Sequence, residues 1–175
     1  MTLVLYPNLA LENFPWTGYI VGEVPELYNF FKQQPKDSLI ASLAEEGNNL
    51  PTFSQRSILV GREYAVPYHL GYYRQYEQRT VDLIKAQYSL DSSVVRNFIE
   101  KYGIDFWLVR TNAFNPDSVV NDKWVMQHKP SATEALAQLK TKKRPILAKA
   151  MRRCSVLETQ KLVVLKAECI LKVSK

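Results

Sequence analysis

The join between residues 92–102 and residues 105–110 constrains the fold more than any other feature of the sequence. Apolar side chains recur at helical spacing over residues 92–102, and Asp91 is placed to cap the start of that helix. Gly103 can end the helix in a left-handed turn, after which DFWLVR at residues 105–110 predicts a buried strand. A helix that enters a strand through one glycine is typical of a βαβ unit, which belongs to parallel sheets.

Helical and strand-like segments alternate along the rest of the chain, which predicts an α/β fold. Helices are predicted at 25–34 and 68–89, after a capping box at 131–134, and from Pro145 to Met151. Strands are predicted at 39–44 and 57–61, with a possible strand at 123–128 within a loop. CSVLET (154–159) and KLVVLKAECIL (161–171) are predicted to form a hairpin. We expect a layered α/β sandwich with a mixed, mostly parallel sheet and a C-terminal β-hairpin. Residues 1–175 then form a single domain, with residues 1–22 as an irregular lead-in.

The composition fits a soluble globular domain, because 46% of the 175 residues are apolar and 11% are aromatic. No run of about 18 apolar residues occurs, so we expect no transmembrane helix. The apolar start of the chain lacks a basic flank and breaks at Pro7, so we do not interpret it as a secretory signal.

The positive charge is concentrated in one segment. Residues 129–153 contain eight basic residues and one acidic residue, Glu134, whereas the whole chain has a net charge of +6. The residues predicted to contact an anionic surface are Lys140, Lys142, Lys143, Arg144, Lys149, Arg152 and Arg153. They could contact an anionic lipid surface or nucleic acid, but they are not interleaved with the aromatic residues that single-strand binders use. A solvated helical face is the more common explanation of such a segment.

No motif of a common enzyme class is present. The sequence lacks a glycine-rich phosphate loop, a nucleophile elbow, a zinc-protease helix and a dinucleotide fingerprint. Neither His69 and His128 nor the two cysteines have the spacing of metal ligands. We therefore expect no cofactor and no metal.

An aromatic turn after the second predicted strand is the first candidate site, because ligands of open α/β sheets bind beyond the carboxyl ends of strands. The candidate ligand-binding residues are Arg62, Glu63, Tyr64, Tyr68, His69 and Tyr72, together with Arg110 at the end of the third predicted strand. Exposed tyrosine faces suit sugar rings, and His69 could act as a general base. The alternative, which we favour, is that these tyrosines pack the start of a helix.

Two arginines suggest a second hypothesis. Arg62 and Arg110 follow strands that we expect to be close in the sheet, so both could form the floor of an anion-binding crevice. A structural ion pair among Arg56, Arg62 and Glu63 is the favoured alternative.

The state of the two cysteines stays open. Cys154 and Cys169 are equally spaced about the predicted hairpin turn, so they would face each other if the hairpin centres there. A turn one residue away would separate them. Free buried thiols are the default expectation.

Four short patterns recur along residues 22–110. Residues 35–41 read P-x-D-x-x-I-A, and residues 51–60 read P-x-F-S-x-R-x-V-L-V with isoleucine in place of the first valine. Residues 67–69 are Pro-Tyr-His, and residues 102–109 read Y-G-I-D-Y/F-x-L-V. With these patterns, residues 22–110 resemble the soluble C-terminal region of multi-span membrane glycosyltransferases that use lipid-linked sugars, notably cyanobacterial ones, and the match weakens after residue 110.

This resemblance implies an extracytoplasmic, membrane-tethered α/β domain beside a membrane-embedded segment. In such transferases the catalytic acid and the lipid-sugar site lie largely in the membrane part, so we expect a non-catalytic accessory or binding domain that recognises an acceptor, a glycan or a partner chain. The resemblance also makes the basic segment a plausible lipid-headgroup contact and makes a disulfide less implausible. The alternatives are a small enzyme with His69 as its base and, last, a basic nucleic-acid-binding protein.

Overall fold

Five strands form one open mixed sheet in the computed structural model, which describes residues 22–141 and 143–173. The strands are β1 (Leu39–Ser42), β2 (Ser57–Ile58), β3 (Phe106–Arg110), β4 (Ser155–Glu158) and β5 (Leu162–Lys166), in the order β2-β1-β3-β5-β4. β1 is parallel to β2 and β3, whereas β5 is antiparallel to β3 and β4. The predicted α/β class, mixed sheet and hairpin are confirmed, with two of the four pairings parallel.

Helices cover both faces of this sheet. They are α1 (Pro25–Lys32), α2 (Leu50–Ser54), α3 (Leu70–Tyr88), α4 (Ser92–Tyr102), α5 (Pro116–Val120), α6 (Lys123–Gln127), α7 (Ser131–Lys140), α8 (Ile146–Cys154) and α9 (Ala167–Val173). Short 3₁₀ turns follow β1 at Glu45–Asn49 and β2 at Arg62–Tyr64. Within the described residues, no helix combines the length and the apolar character needed to cross a membrane.

The join between α4 and β3 has the predicted geometry. The Asp91 carboxylate accepts a hydrogen bond from the Ser93 N–H at 2.8 Å and caps the helix. Gly103 has a φ of 65°, a left-handed conformation that glycine adopts without steric cost. The Asp105 carboxylate accepts from the Leu39 N–H at 2.8 Å, so the join also sets β3 beside β1.

The core lies on both sides of the sheet because successive strand residues face opposite ways. On one side, Trp107 packs among α3, α4, α7 and α8, and its indole N–H donates to Gln87 Oε1 at 3.2 Å. On the other side, Leu108 packs with residues of α1, including Leu27 and Phe31. Both faces of β3 are therefore buried, as its continuous apolar sequence predicts.

The C-terminal run differs from the prediction. β5 ends at Lys166, which pairs with Phe106, the first residue of β3. Ala167 donates its N–H to the Asp105 carbonyl at 2.9 Å and begins α9. The predicted strand KLVVLKAECIL is therefore a strand followed by a helix.

The cysteines form a disulfide, so the expectation of free thiols is wrong. Cys154 ends α8 and Cys169 lies in α9, with their Cα atoms 5.4 Å apart. Glu158 pairs with Val163, which centres the turn one position before the point that equal spacing of the cysteines requires. The disulfide does not depend on where the hairpin turn is centred, because Cys154 and Cys169 lie in two helices rather than in the two strands of the hairpin.

The segment 111–130 also departs from the prediction. Residues 123–127 of the possible strand form α6, because the Asp122 carboxylate caps its start by accepting from the Val125 N–H. The predicted capping box is wrong as well. Ser131 is the first residue of α7, and the Pro130 carbonyl, rather than a serine side chain, accepts from the Glu134 N–H. Residues 1–21 of the predicted lead-in lie outside the described residues.

The disulfide should contribute measurably to stability. Replacing both cysteines with serine removes a cross-link that spans 15 residues and should lower the free energy of unfolding by about 3 kcal/mol. Urea denaturation of both proteins, with and without reductant, measures this difference. The reductant should destabilise only the parent protein, and an equal effect on both would contradict the prediction.

Candidate functional site

An open crevice of about 790 Å³ lies beyond the carboxyl ends of the parallel strands. Arg110 ends β3, Arg62 follows β2, and Glu45 follows β1. The remaining lining residues belong to the segment after β3 and are Asn112, Asn115, Asp117, Ser118, Asn121, Asp122, Lys123, Trp124 and Gln127. This is the position at which open α/β sheets bind ligands.

Asp122 is the centre of the crevice floor. Its side chain is only 2% exposed, and its Oδ2 accepts from Arg62 Nη2 at 2.6 Å and from Arg110 Nη2 at 2.7 Å. Its Oδ1 accepts from the Val125 N–H at 3.1 Å. One buried carboxylate therefore binds two arginines from different strand ends and caps α6 as well.

Arg62 is held on several sides. Its Nη2 also donates to the Leu43 carbonyl at 2.8 Å, and its backbone N–H donates to Asn48 Oδ1 at 2.8 Å. The guanidinium lies 5.0 Å from the centre of the Trp124 ring, within cation–π range. Its Nε is buried and has no hydrogen-bond partner among the described residues.

The crevice brings Arg62 and Arg110 together, as the anion-floor hypothesis requires. Asp122 neutralises only one of these two positive charges. The rim adds the carboxylates of Glu45 and Asp117 and the ammonium group of Lys123, so the lining as a whole carries no strong net charge. Anion binding at this floor remains a prediction. The expected Arg–Glu ion pair is replaced by the Arg62–Asp122 pair.

The predicted aromatic turn is divided between structural and exposed residues. Tyr64 donates its hydroxyl to the Asn48 carbonyl at 3.0 Å, and Tyr72 donates to the Tyr64 carbonyl at 2.8 Å. Burial raises the pKa of the Tyr64 hydroxyl. These hydrogen bonds are the ones expected if the tyrosines pack the start of a helix rather than bind a ligand. Tyr68, by contrast, is 79% exposed.

The residues of the proposed enzyme site are not assembled around a common point. His69 is exposed and precedes α3, and its ring lies 4.8 Å from the ring of Tyr68. Glu63 is exposed as well, and within the described part of the chain neither side chain bonds to the other. His69, Glu63 and Tyr68 lie outside the crevice lining, whereas Arg62 and Arg110 lie within it.

A packed aromatic group forms the wall of the crevice. Trp124 donates its indole N–H to the Tyr76 hydroxyl at 3.2 Å, and its ring meets His128 edge-on at 5.7 Å. Burial lowers the pKa of His128, and its Nε2 has no partner among the described residues. The bond to Tyr76 and the contact with His128 together fix the orientation of the Trp124 ring.

The sequence interpretation missed Asp122, Trp124, Asn112 and Gln127. Trp124 and Gln127 lie in the possible strand at 123–128, and all four follow a buried parallel strand. Asn115, directly before Pro116, and Asp122 were the available signal, because both cap helices by accepting from backbone N–H groups.

The basic residues lie at the end of α7 and on and before α8, outside the crevice lining. Lys140 ends α7, and Lys143 and Arg144 precede α8; all three are exposed. Lys149, Arg152 and Arg153 are exposed on α8. Lys142 lies outside the described residues.

The described residues contain no group of three or more histidine, cysteine, aspartate or glutamate side chains that could hold a metal ion. The sequence matches no protein-family model and no curated protein. Its fold is similar to the C-terminal globular domain of oligosaccharyltransferase (AfAglB-S2) from Archaeoglobus fulgidus, with a TM-score of 0.50 and 11% identity. The likeness covers 85% of this chain and 99% of that domain, and at this identity it shows the fold alone.

The Asp122 interaction should be essential for stability. Asp122→Asn keeps the shape of the side chain but leaves two guanidinium groups without their counter-charge, so the free energy of unfolding should fall by about 3 kcal/mol. Chemical denaturation measures the loss. The matched control is Asp117→Asn at the exposed rim, which should change stability by no more than about 0.5 kcal/mol. Equal effects of the two substitutions would contradict the central role of Asp122.

His128 should make stability depend on pH. Because burial lowers its pKa in the folded protein, the unfolded chain takes up a proton more readily, near the ordinary value of 6.5. The carboxylate of Glu77 acts in the opposite direction but is the smaller influence. The contribution of His128 to stability should therefore be complete above this pH and decrease as the pH falls below it. The free energy of unfolding, measured by denaturation above and below this pH, should change less with pH in His128→Gln than in the parent protein. An equal change in both proteins would refute this assignment.

Proposed function

We propose that this chain is a non-catalytic accessory domain of a membrane-linked, glycosyltransferase-like protein and that it binds a glycan in the crevice beyond its strand ends. The observation that carries the proposal is the chemistry of the lining. Planar amide, carboxylate and guanidinium groups surround the half-buried indole of Trp124.

This lining suits a sugar. Amide side chains such as those of Asn112 and Gln127 both donate and accept, so each can bond two neighbouring hydroxyl groups. An indole offers an apolar face to the C–H face of a sugar ring. The exposed Asn112 and Gln127 are available for this contact, and Trp124 is fixed in position by its bond to Tyr76.

The engagement of Asp122 supports a binding role rather than a catalytic one. A general base must reach the proton that it removes, but both oxygens of Asp122 accept hydrogen bonds from protein donors. His69 and Glu63, the residues of the enzyme alternative, lie outside the crevice lining. No observation in the structure favours that alternative.

The membrane link rests on two independent likenesses. The sequence patterns at residues 35–41, 51–60 and 102–109 resemble the C-terminal regions of lipid-linked-sugar transferases, and the fold is similar to a C-terminal domain of an oligosaccharyltransferase. The disulfide supports an extracytoplasmic location, because such bonds persist in oxidising compartments. The partners that we propose are a glycan at the crevice and a membrane-embedded segment, with the anionic lipid contact argued below.

Glycan binding can be tested with the isolated chain. A glycan array should identify an oligosaccharide ligand, and NMR titration with that ligand should shift the Trp124 indole signal. Asn112→Ala and Gln127→Ala should each weaken binding about three- to tenfold, because each removes one or two hydrogen bonds.

The control for this experiment is Asn29→Ala, an exposed amide on α1 that lies outside the crevice lining. Its affinity should equal that of the parent chain. Equal weakening by the control would place the sugar elsewhere, and the absence of any bound glycan at millimolar concentrations would refute the proposal.

A further inference from the structure

The carboxyl-terminal end of α8 and the crevice lie at opposite ends of the sheet. Ser155 begins β4 directly after α8 and pairs with Leu165, which in turn pairs with Trp107 near the start of β3. Arg110, which lines the crevice, is the last residue of β3. The register therefore places the last turn of α8 at the amino ends of β1 and β3.

One face of α8 lines a groove with an apolar floor and a cationic rim. Ile146, Lys149, Ala150 and Arg153 recur at helical spacing, so they share one side of the helix. Together with Val173 of α9 they line a cavity of about 320 Å³. Two long basic side chains thus flank an apolar surface.

This face has an unbalanced positive charge. Lys143, Arg144, Lys149, Arg152 and Arg153 are all exposed, and the sequence contains no acidic residue between Glu134 and Glu158. Within the described residues, none of the five has a carboxylate within ion-pair distance. Glu168, the carboxylate on α9, is paired with Lys166 and Lys172.

The groove is held in shape by a covalent bond. The Cys154–Cys169 disulfide joins the end of α8 to α9, and the Cys169 sulfur lies 3.6 Å from the carbonyl oxygen of Arg153. The positions of Arg153 and Val173 relative to each other are therefore set before any ligand arrives. A preformed site loses less conformational entropy when it binds.

We infer that this α8–α9 face docks on an anionic phospholipid bilayer. The cations attract headgroup phosphates, while Val173 (41% exposed) lines the groove with them and reaches the boundary with the acyl chains. Exposed apolar side chains among cations suit a bilayer better than a nucleic acid, whose single strands bind through aromatic stacking. The inference does not depend on what binds in the crevice.

Vesicle sedimentation tests the contact. The parent chain should bind vesicles of equimolar phosphatidylglycerol and phosphatidylcholine, should bind phosphatidylcholine alone only weakly, and should dissociate as salt is raised. Lys149→Glu/Arg153→Glu should lower the partition coefficient at least about tenfold. Arg74→Glu/Lys161→Glu changes the net charge equally at exposed positions near the crevice end and should bind like the parent.

Equal loss in both double variants would overturn the inference, because binding would then depend on net charge alone. Circular dichroism of each variant confirms that it is folded. Tighter binding to a short DNA duplex than to the anionic vesicles, measured at the same salt concentration, would also overturn it and would favour the nucleic-acid alternative.

The position of the docking face has its own test. Val173→Trp places a fluorophore on the docking face, and Val120→Trp places one on the exposed end of α5 beside the crevice. Brominated lipids in the anionic vesicles should quench the fluorescence that Val173→Trp adds to that of the parent chain more strongly than the fluorescence that Val120→Trp adds. Loss of quenching at Val173→Trp, or equal quenching at both positions, would overturn the docking face.

Discussion

The carboxylate of Asp122 is the interaction on which the functional end of the molecule depends. It joins Arg62, which follows β2, to Arg110, which ends β3, and Arg62 in turn binds the Leu43 carbonyl that follows β1. Three strand ends and the start of α6 therefore converge on one buried charge. Because the two arginines are only partly exposed, their positive charges would repel each other without it. The shape and the moderate charge of the crevice both follow from this arrangement.

Local chemistry made parts of the fold predictable. The bounds of α4 follow from its sequence because Asp91 and Gly103 act on backbone groups within a few residues of themselves. The end of β5 does not, because it is set by where β3 begins on the neighbouring strand. Lys166 pairs with Phe106, whereas Ala167 makes one last bond to the Asp105 carbonyl and begins α9, although both belong to one continuous β-favouring run. A single sequence contains no signal for such a limit.

The candidate site was predictable to a similar extent. Arg62 and Arg110 could be placed in one crevice because the ends of neighbouring parallel strands meet at one edge of the sheet. Asp122 could not, because its role depends on a partner 60 positions away. The tyrosines of residues 64–72 were candidate ligand-binding residues because they follow a predicted strand, with packing as the favoured alternative. In the structure, the hydroxyls of Tyr64 and Tyr72 bond to backbone carbonyls, which only the folded turn reveals.

The residues that carry the resemblance to lipid-linked-sugar transferases build the frame rather than the crevice. Arg56, the arginine of the second pattern, donates to the carbonyls of Lys32 and Ser54 and so ties α1 to α2. Gly103 turns the chain from α4 into β3. Most of the crevice lining lies after residue 110, where the resemblance weakens. A shared frame with a different loop after β3 is how one fold acquires different ligands.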